Sequence, residues 1–235
     1  MMDARRAQIL ELIGVERFEP RVAPAQADTG TVAAAADGAA AASDDHAADL
    51  GWPQLERAVA GCTRCALAGG RTNTVFGVGD RAARWMVVGE APGAEEDRQG
   101  EPFVGRAGQL LNSMLRAIGL AREQVFIANV LKCRPPGNRD PLPEEVRCCL
   151  PYLHRQIALI GPALIVCVGR IAAQNLLATD TPIGKLRGRP HELAPFGVPV
   201  VVTYHPAYLL RSPGEKRKAW DDLKLAMEVA RGRGA

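Results

Sequence analysis

Six cysteines stand at positions 62, 65, 133, 148, 149 and 167 of this 235-residue chain. Cys62 and Cys65 form a CxxC pair in the short run GCTRC. The first twenty residues carry Arg5, Arg6, Glu11, Glu16 and Glu19 and no long apolar core, so a secretory signal is not expected. Without export, such a pair points to metal before disulfide. Two more ligands are needed, and Cys133 with Cys148 or Cys149 supplies them. Four thiolates suit a structural zinc or a 4Fe-4S cluster, and spacing leaves both open. Either would tie the start of the domain to a remote loop and helix. The plainer reading is a set of free buried thiols. Cys167 sits in an apolar run and reads as a small core residue.

Two further segments could do chemistry. GEAPGAEEDRQGEPFVGRAGQLL, from Gly89 to Leu111, gathers the acids Glu90, Glu95, Glu96 and Asp97. Such a cluster is usually just solvated, but Glu90 directly follows an apolar run and should stand at its mouth. Phe103 is an aromatic stranded among polar residues, where it could stack on a planar ligand. Gly105 and Gly108 then open a helix whose amino terminus could face a phosphate. The second segment, TYHPAYLLRS, runs from Thr203 to Ser212 and places His205 at the end of another apolar run. Leu209, Leu210 and Arg211 there either pack on the core or act as an apolar wedge beside a phosphate-binding arginine.

Positioning these groups requires a scaffold, and the apolar runs describe one. WMVVG (Trp85–Gly89), VFIAN (Val125–Asn129), LIVCVG (Leu164–Gly169) and the run Val198–Tyr204 read as four buried strands. Helical patterns follow each: Gly105–Ile118, Pro143–Leu159, a stretch ending at Leu177, and Gly214–Ala230. Strands of this kind alternating with helices predict a parallel α/β sheet covered on both faces. Ligands then bind at the carboxyl ends of the strands, which carry Glu90, Asn129 and His205.

Composition divides the chain. Residues 1–21 form a leader with a short amphipathic helix near 5–15, and residues 22–49 an Ala-rich flexible linker with ten alanines between Ala33 and Ala48. The globular domain is expected over 50–235. The leader could dock a protein partner, although a functionless extension is the plainer reading. Residues 1–50 hold four basic against nine acidic residues, while residues 51–235 hold 25 against 17. A basic core suits a polyanion, nucleic acid being the commonest. Lys185, Arg187 and Arg189 in GKLRGRPH are candidate phosphate contacts. No apolar run approaches the ~18 residues of a membrane span, so no membrane association and a cytoplasmic location are expected.

Taken together, GEAPGAEEDRQGEPFVGRAGQLL, NVLKCRPPGNRDPLPEEV and HPAYLLR, with CTRC upstream, make the sequence resemble the family-4, iron–sulfur branch of the uracil-DNA glycosylases. The resemblance spans roughly residues 50–231. It implies a three-layer αβα sandwich around a four-stranded parallel sheet. It also implies a structural 4Fe-4S cluster on Cys62, Cys65, Cys133 and Cys149, with Cys148 the extra thiol. The implied reaction is hydrolysis of the N-glycosidic bond of deoxyuridine in single- or double-stranded DNA; a monomer is expected. Phe103 would stack on the flipped uracil, Asn129 would pair with its N3–H and O4, and His205 would donate to O2. Glu90 would position or activate water, and the Ala91 N–H would touch the base. The family-1 loop reads GQDPY where this chain has Gly89-Glu90-Ala91-Pro92-Gly93, so thymine must be excluded by something else, for which Glu96 is the candidate. A relative that traps DNA covalently uses a histidine in an insert after the second strand. CRPPGNRDPLP contains none, so turnover is expected and not trapping. The alternative is a non-catalytic or trapping DNA-binding member of the same fold.

Overall fold

A computed structural model describes residues 46–233. The leader helix and the linker up to residue 45 lie outside the described residues. The helices are α1 (Trp52–Ala60), α2 (Ala94–Gln99), α3 (Arg106–Ala117), α4 (Pro143–Ile160), α5 (Arg170–Leu176), α6 (Ile183–Leu186), α7 (Pro206–Arg211) and α8 (Lys216–Gly232). The strands are β1 (Val78–Gly79), β2 (Trp85–Gly89), β3 (Val125–Asn129), β4 (Leu164–Val168), β5 (Pro190–Leu193) and β6 (Val198–Thr203).

They form one mixed sheet in the order β1-β3-β2-β4-β6-β5. The four strands expected from apolar runs are its parallel centre, in the register Gly89 beside Asn129 and Val168 beside Thr203. The expected four-stranded sheet is corrected to six, because β1 and β5 add antiparallel edges. Neither edge has an apolar run to announce it. β1 is two residues long, and β5 begins at a proline and is largely exposed, which an edge strand tolerates.

Side chains alternate across the central strands, so each contributes to two apolar layers. On one face, Leu55 and Val59 of α1 and Leu153 and Ile157 of α4 join Met86, Val88 and Phe126. On the other, Leu111 and Leu115 of α3 and Ala226 and Ala230 of α8 join Val87, Ile127 and Val201. Burying each large aliphatic side chain contributes about 1.5–3 kcal/mol. The central strands are thus clamped from both sides, which fixes where their carboxyl ends emerge. The end of the Ala-rich segment is packed too: Ala47 is fully buried, and the His46 ring meets Tyr152 edge-on with centroids 4.6 Å apart. No described helix is long and apolar enough to cross a membrane.

Candidate active site

The carboxyl ends of β2, β3 and β6 open into a cleft of about 430 Å³, within the range of small-ligand sites. Glu90, Ala91, Glu96, Phe103, Asn129, His205 and Arg211 all line it. Segments up to 121 residues apart in sequence therefore meet at one place (Glu90 and Arg211).

Gly89 explains how they come so close. A Cβ there would overlap Asn129 Oδ1 and lie 2.7 Å from the Phe103 ring. The amide and the ring lie directly over the end of β2, where only glycine leaves room. Phe103 itself has φ of 55°, a costly conformation for an aromatic residue. Arg122 holds it there. Its guanidinium donates to the carbonyls of Pro102 (2.5 Å) and Phe103 (3.4 Å) and to Asn112 Oδ1 (3.2 Å), and it pairs with Glu101 at 3.0 Å. Glu96 closes the loop from the other side: its Oε1 accepts from the N–H groups of Val104 (3.2 Å) and Gly105 (3.3 Å) at the start of α3. Gly108 completes the turn, since a Cβ there would collide with the Phe103 carbonyl.

Asn129 is buried at the end of β3, and its Oδ1 has no hydrogen-bond partner among the described residues. Buried acceptors are nearly always paired, so this one is available to a donor in the cleft. His205 follows β6 and caps α7, its Nδ1 accepting the Ala207 N–H at 3.1 Å. The proton of the neutral ring is therefore on Nε2. Burial pushes the imidazole pKa down to about 4; Arg211 works in the same direction and Glu96 against it. The Phe103 and His205 rings stack, with centroids 5.7 Å apart and planes at 30°. Glu90 is moved the opposite way. Burial raises its carboxyl to about 7, Asp140 adds to the rise and Arg170 opposes it. Arg170 and Asp140 are themselves paired at 2.7 Å.

A second cavity lies behind the sheet end, lined by Cys62, Cys65, Cys133, Cys148 and Cys149. The Lys132 N–H donates to Cys149 Sγ at 3.1 Å and the Arg71 guanidinium to Cys133 Sγ at 3.3 Å. Cys148 Sγ lies on the rim of the same cavity, donating to the Arg64 carbonyl at 3.3 Å. Burial pushes Cys65 and Cys133 up and Cys149 up to about 12. The Lys132 ammonium is fully buried, donating to the Asn129 carbonyl (2.9 Å) and Gln156 Oε1 (2.7 Å), and burial lowers its pKa to about 8. Among the described residues, no three His, Cys, Asp or Glu side chains close around a point as a single metal ion requires. Cys167 lies fully buried within β4, away from this group.

The uracil DNA glycosylase superfamily model matches residues 76–224, which hold β2, β3, β4, β6 and the whole cleft. The chain is 49% identical over 181 residues to the type-4 uracil-DNA glycosylase of Archaeoglobus fulgidus, covering 74% of this chain and 91% of that one. It is 44% identical over 176 residues to the type-4 enzyme of Thermotoga maritima, again covering 74% and 91%. The chain belongs to the uracil-DNA glycosylase superfamily. Within this superfamily member, the structure brings together all six cleft residues picked from the sequence: Glu90, Ala91, Glu96, Phe103, Asn129 and His205. It also adds some that were not. Arg122 and the Asp140–Arg170 pair gave no local signal, because each acts through a partner remote in sequence.

The residues assigned to DNA contact divide. Arg211 lines the cleft and is exposed, and Leu210 is 36% exposed. Lys185 and Arg189 are exposed on or beside α6 but do not line the cleft. Two assignments are corrected. Leu209 is 1% exposed, packed with Met114, Ala219 and Leu223, so it anchors α7 and cannot enter a base stack. Arg187 is committed inside the glycosylase fold: its Nε donates to buried Asp222 at 2.7 Å, and it lies over the Tyr204 ring at 4.2 Å. A guanidinium so engaged is not offered to a phosphate.

Proposed function

We propose that this chain is a monofunctional uracil-DNA glycosylase. It hydrolyses the N-glycosidic bond of deoxyuridine in DNA, releasing uracil and leaving an abasic site for base-excision repair. The observation that carries this reading is the buried, unpartnered Asn129 Oδ1 in the cleft.

The target nucleotide leaves the base stack to reach the cleft. Uracil then slides against Phe103. Asn129 Oδ1 accepts from uracil N3–H, and its amide NH2 donates to O4. Cytosine presents an acceptor at N3 and a donor at N4, so it would meet like with like, and a site built on such a bond rejects the mismatch strongly. As the glycosidic bond breaks, negative charge grows on uracil O2 and positive character on the deoxyribose. The His205 Nε2–H donates to O2, stabilising charge that exists only as the bond opens. A neutral imidazole performs this role, consistent with the low pKa of His205. The ionised Glu90 carboxylate favours the cationic sugar and takes a proton from the water that attacks it. The Ala91 N–H contacts the base, and Glu96, whose carboxylate also reaches the Gly93 corner of the cleft, excludes the thymine methyl.

The second cavity fits a 4Fe-4S cluster. Five thiols and no carboxylate or imidazole line it, and thiolates are the ligands of iron–sulfur clusters. Cys62, Cys65, Cys133 and Cys149 would hold it. Cys149 is chosen over Cys148 because it is buried and accepts an N–H, as a thiolate ligand does, whereas Cys148 is turned to a carbonyl. When bound, the cluster cross-links the start of the domain to the Cys133 loop and α4 and supplies folding energy.

The test incubates the protein with uracil-containing single strands, U:A and U:G duplexes, and the cytosine and thymine counterparts. Free uracil and an alkali-labile site from the uracil substrates alone support the reading. A persistent covalent adduct on a denaturing gel, or binding without release, sinks it in favour of a trapping or non-catalytic member.

A further inference from the structure

The cavity assigned to the cluster holds one thiol too many. Five cysteines line it, and a four-iron cluster takes four. Cys148 and Cys149 are consecutive on α4, in its second turn, so one helix offers two thiols to the same space from neighbouring directions. Cys149 is the inner one, buried and bonded to the Lys132 N–H. Cys148 is the outer one, half-buried, its Sγ seated on the carbonyl of Arg64 between Cys62 and Cys65. The helix carrying both is fixed at its start by Glu145, whose carboxylate pairs with Arg139 at 2.6 Å and accepts the Leu142 N–H at 2.8 Å. The backbone of that turn is thereby held against the cavity, and the thiols move only by side-chain rotation.

We propose that Cys148 is a reserve ligand: a second seat for the bond that Cys149 makes, on the solvent side of the same cavity. This inference rests on the cluster reading above. With a cluster bound, Cys148 would take the place of Cys149 as the fourth thiolate, one iron–sulfur bond being exchanged for another. The Cys148 thiol proton passes to solvent, Cys149 takes up a proton, and no electron moves. Cys148 gives up only the weak S–H···O=C bond to Arg64, a smaller loss than breaking a thiolate–metal bond. The consequence is a cluster that survives damage to its fourth ligand.

The experiment compares full-length wild type with C148A, C149A and C148A/C149A, each reconstituted anaerobically with iron and sulfide. Bound iron, bound sulfide and the visible absorption are measured, with circular dichroism as the check on folding. C149V repeats the C149A arm with a bulkier side chain that carries no ligating atom. Wild type and C148A should load equally. C149A and C149V should retain a cluster and hold at least about fivefold more iron than the double variant. Iodoacetamide should alkylate Cys148 in native wild type and spare it in loaded C149A. Equal iron in C149A and the double variant, whether retained or lost, overturns the proposal, as does loss of the cluster in C148A. A wild-type chain that binds no iron overturns the cluster reading itself.

Discussion

Glu90 and His205 face the same cleft, and burial moves their pKa values in opposite directions, to about 7 and about 4. Both shifts have the same cause: a low-dielectric wall disfavours whichever form is charged. The two consequences for the reaction differ. His205 works as a neutral donor, so its titration lies below the working range and leaves no mark there. Glu90 works ionised, and its carboxyl is half protonated at about pH 7. Activity should therefore rise with pH through about 7 as the carboxylate forms, and fall below it. Measured under single-turnover conditions, kcat/KM should show an acid limb with a midpoint near that value. Glu90→Gln should lower the rate by about a hundredfold or more and abolish the limb, leaving affinity for uracil-containing DNA within a few fold. An acid limb that persists in the glutamine variant would place the titrating group elsewhere.

At the scale of elements, the cleft depends on strand ends. Gly89 closes β2 with Asn129 and Phe103 lying over it, and an added methyl would collide with both. Gly89→Ala should cut kcat/KM by about tenfold or more, through a displaced amide and ring, while the remainder of β2 keeps its ladder to β3 and β4. Circular dichroism should show a folded protein; a folded variant with wild-type kinetics would show that the ring and the amide do not need their observed positions. The central strands were legible in the sequence because burial on both faces makes them continuous apolar runs, and the residues that close such a run lie at the carboxyl end of the sheet. That is how Glu90, Asn129 and His205 could be picked. β1 and β5 left no such trace, being a two-residue pairing and a half-exposed edge. The fate of Arg187 was equally hidden. Its partner Asp222 lies 35 residues on, and an exposed-looking basic loop reads the same whether or not the fold brings a buried carboxylate against it. Leu209 and Leu210 look alike in sequence, and only the seating of α7 against Met114 and Leu223 separates anchor from surface.

For the molecule as a whole, charge is the property that reaches beyond the cleft. The segment from residue 51 onward carries an excess of basic residues, and a DNA substrate offers regularly spaced phosphates. With Arg187 withdrawn into the fold, Lys185 and Arg189 are the exposed cations that loop still presents. Each phosphate that a cation neutralises releases condensed counterions, so log affinity falls with log salt by about 0.9 per phosphate on a duplex and about 0.7 on a single strand. The double variant Lys185→Glu, Arg189→Glu should therefore weaken DNA binding and flatten that slope by roughly one for each phosphate no longer neutralised. Both side chains are solvent-exposed, so thermal stability should stay within about 0.5 kcal/mol of wild type. Hydrolysis of the bound substrate should proceed at the wild-type rate, because neither residue lines the cleft. Fluorescence titrations at several salt concentrations separate these effects. An unchanged slope would put the DNA backbone on another face, where Arg211, exposed and lining the cleft, could meet it.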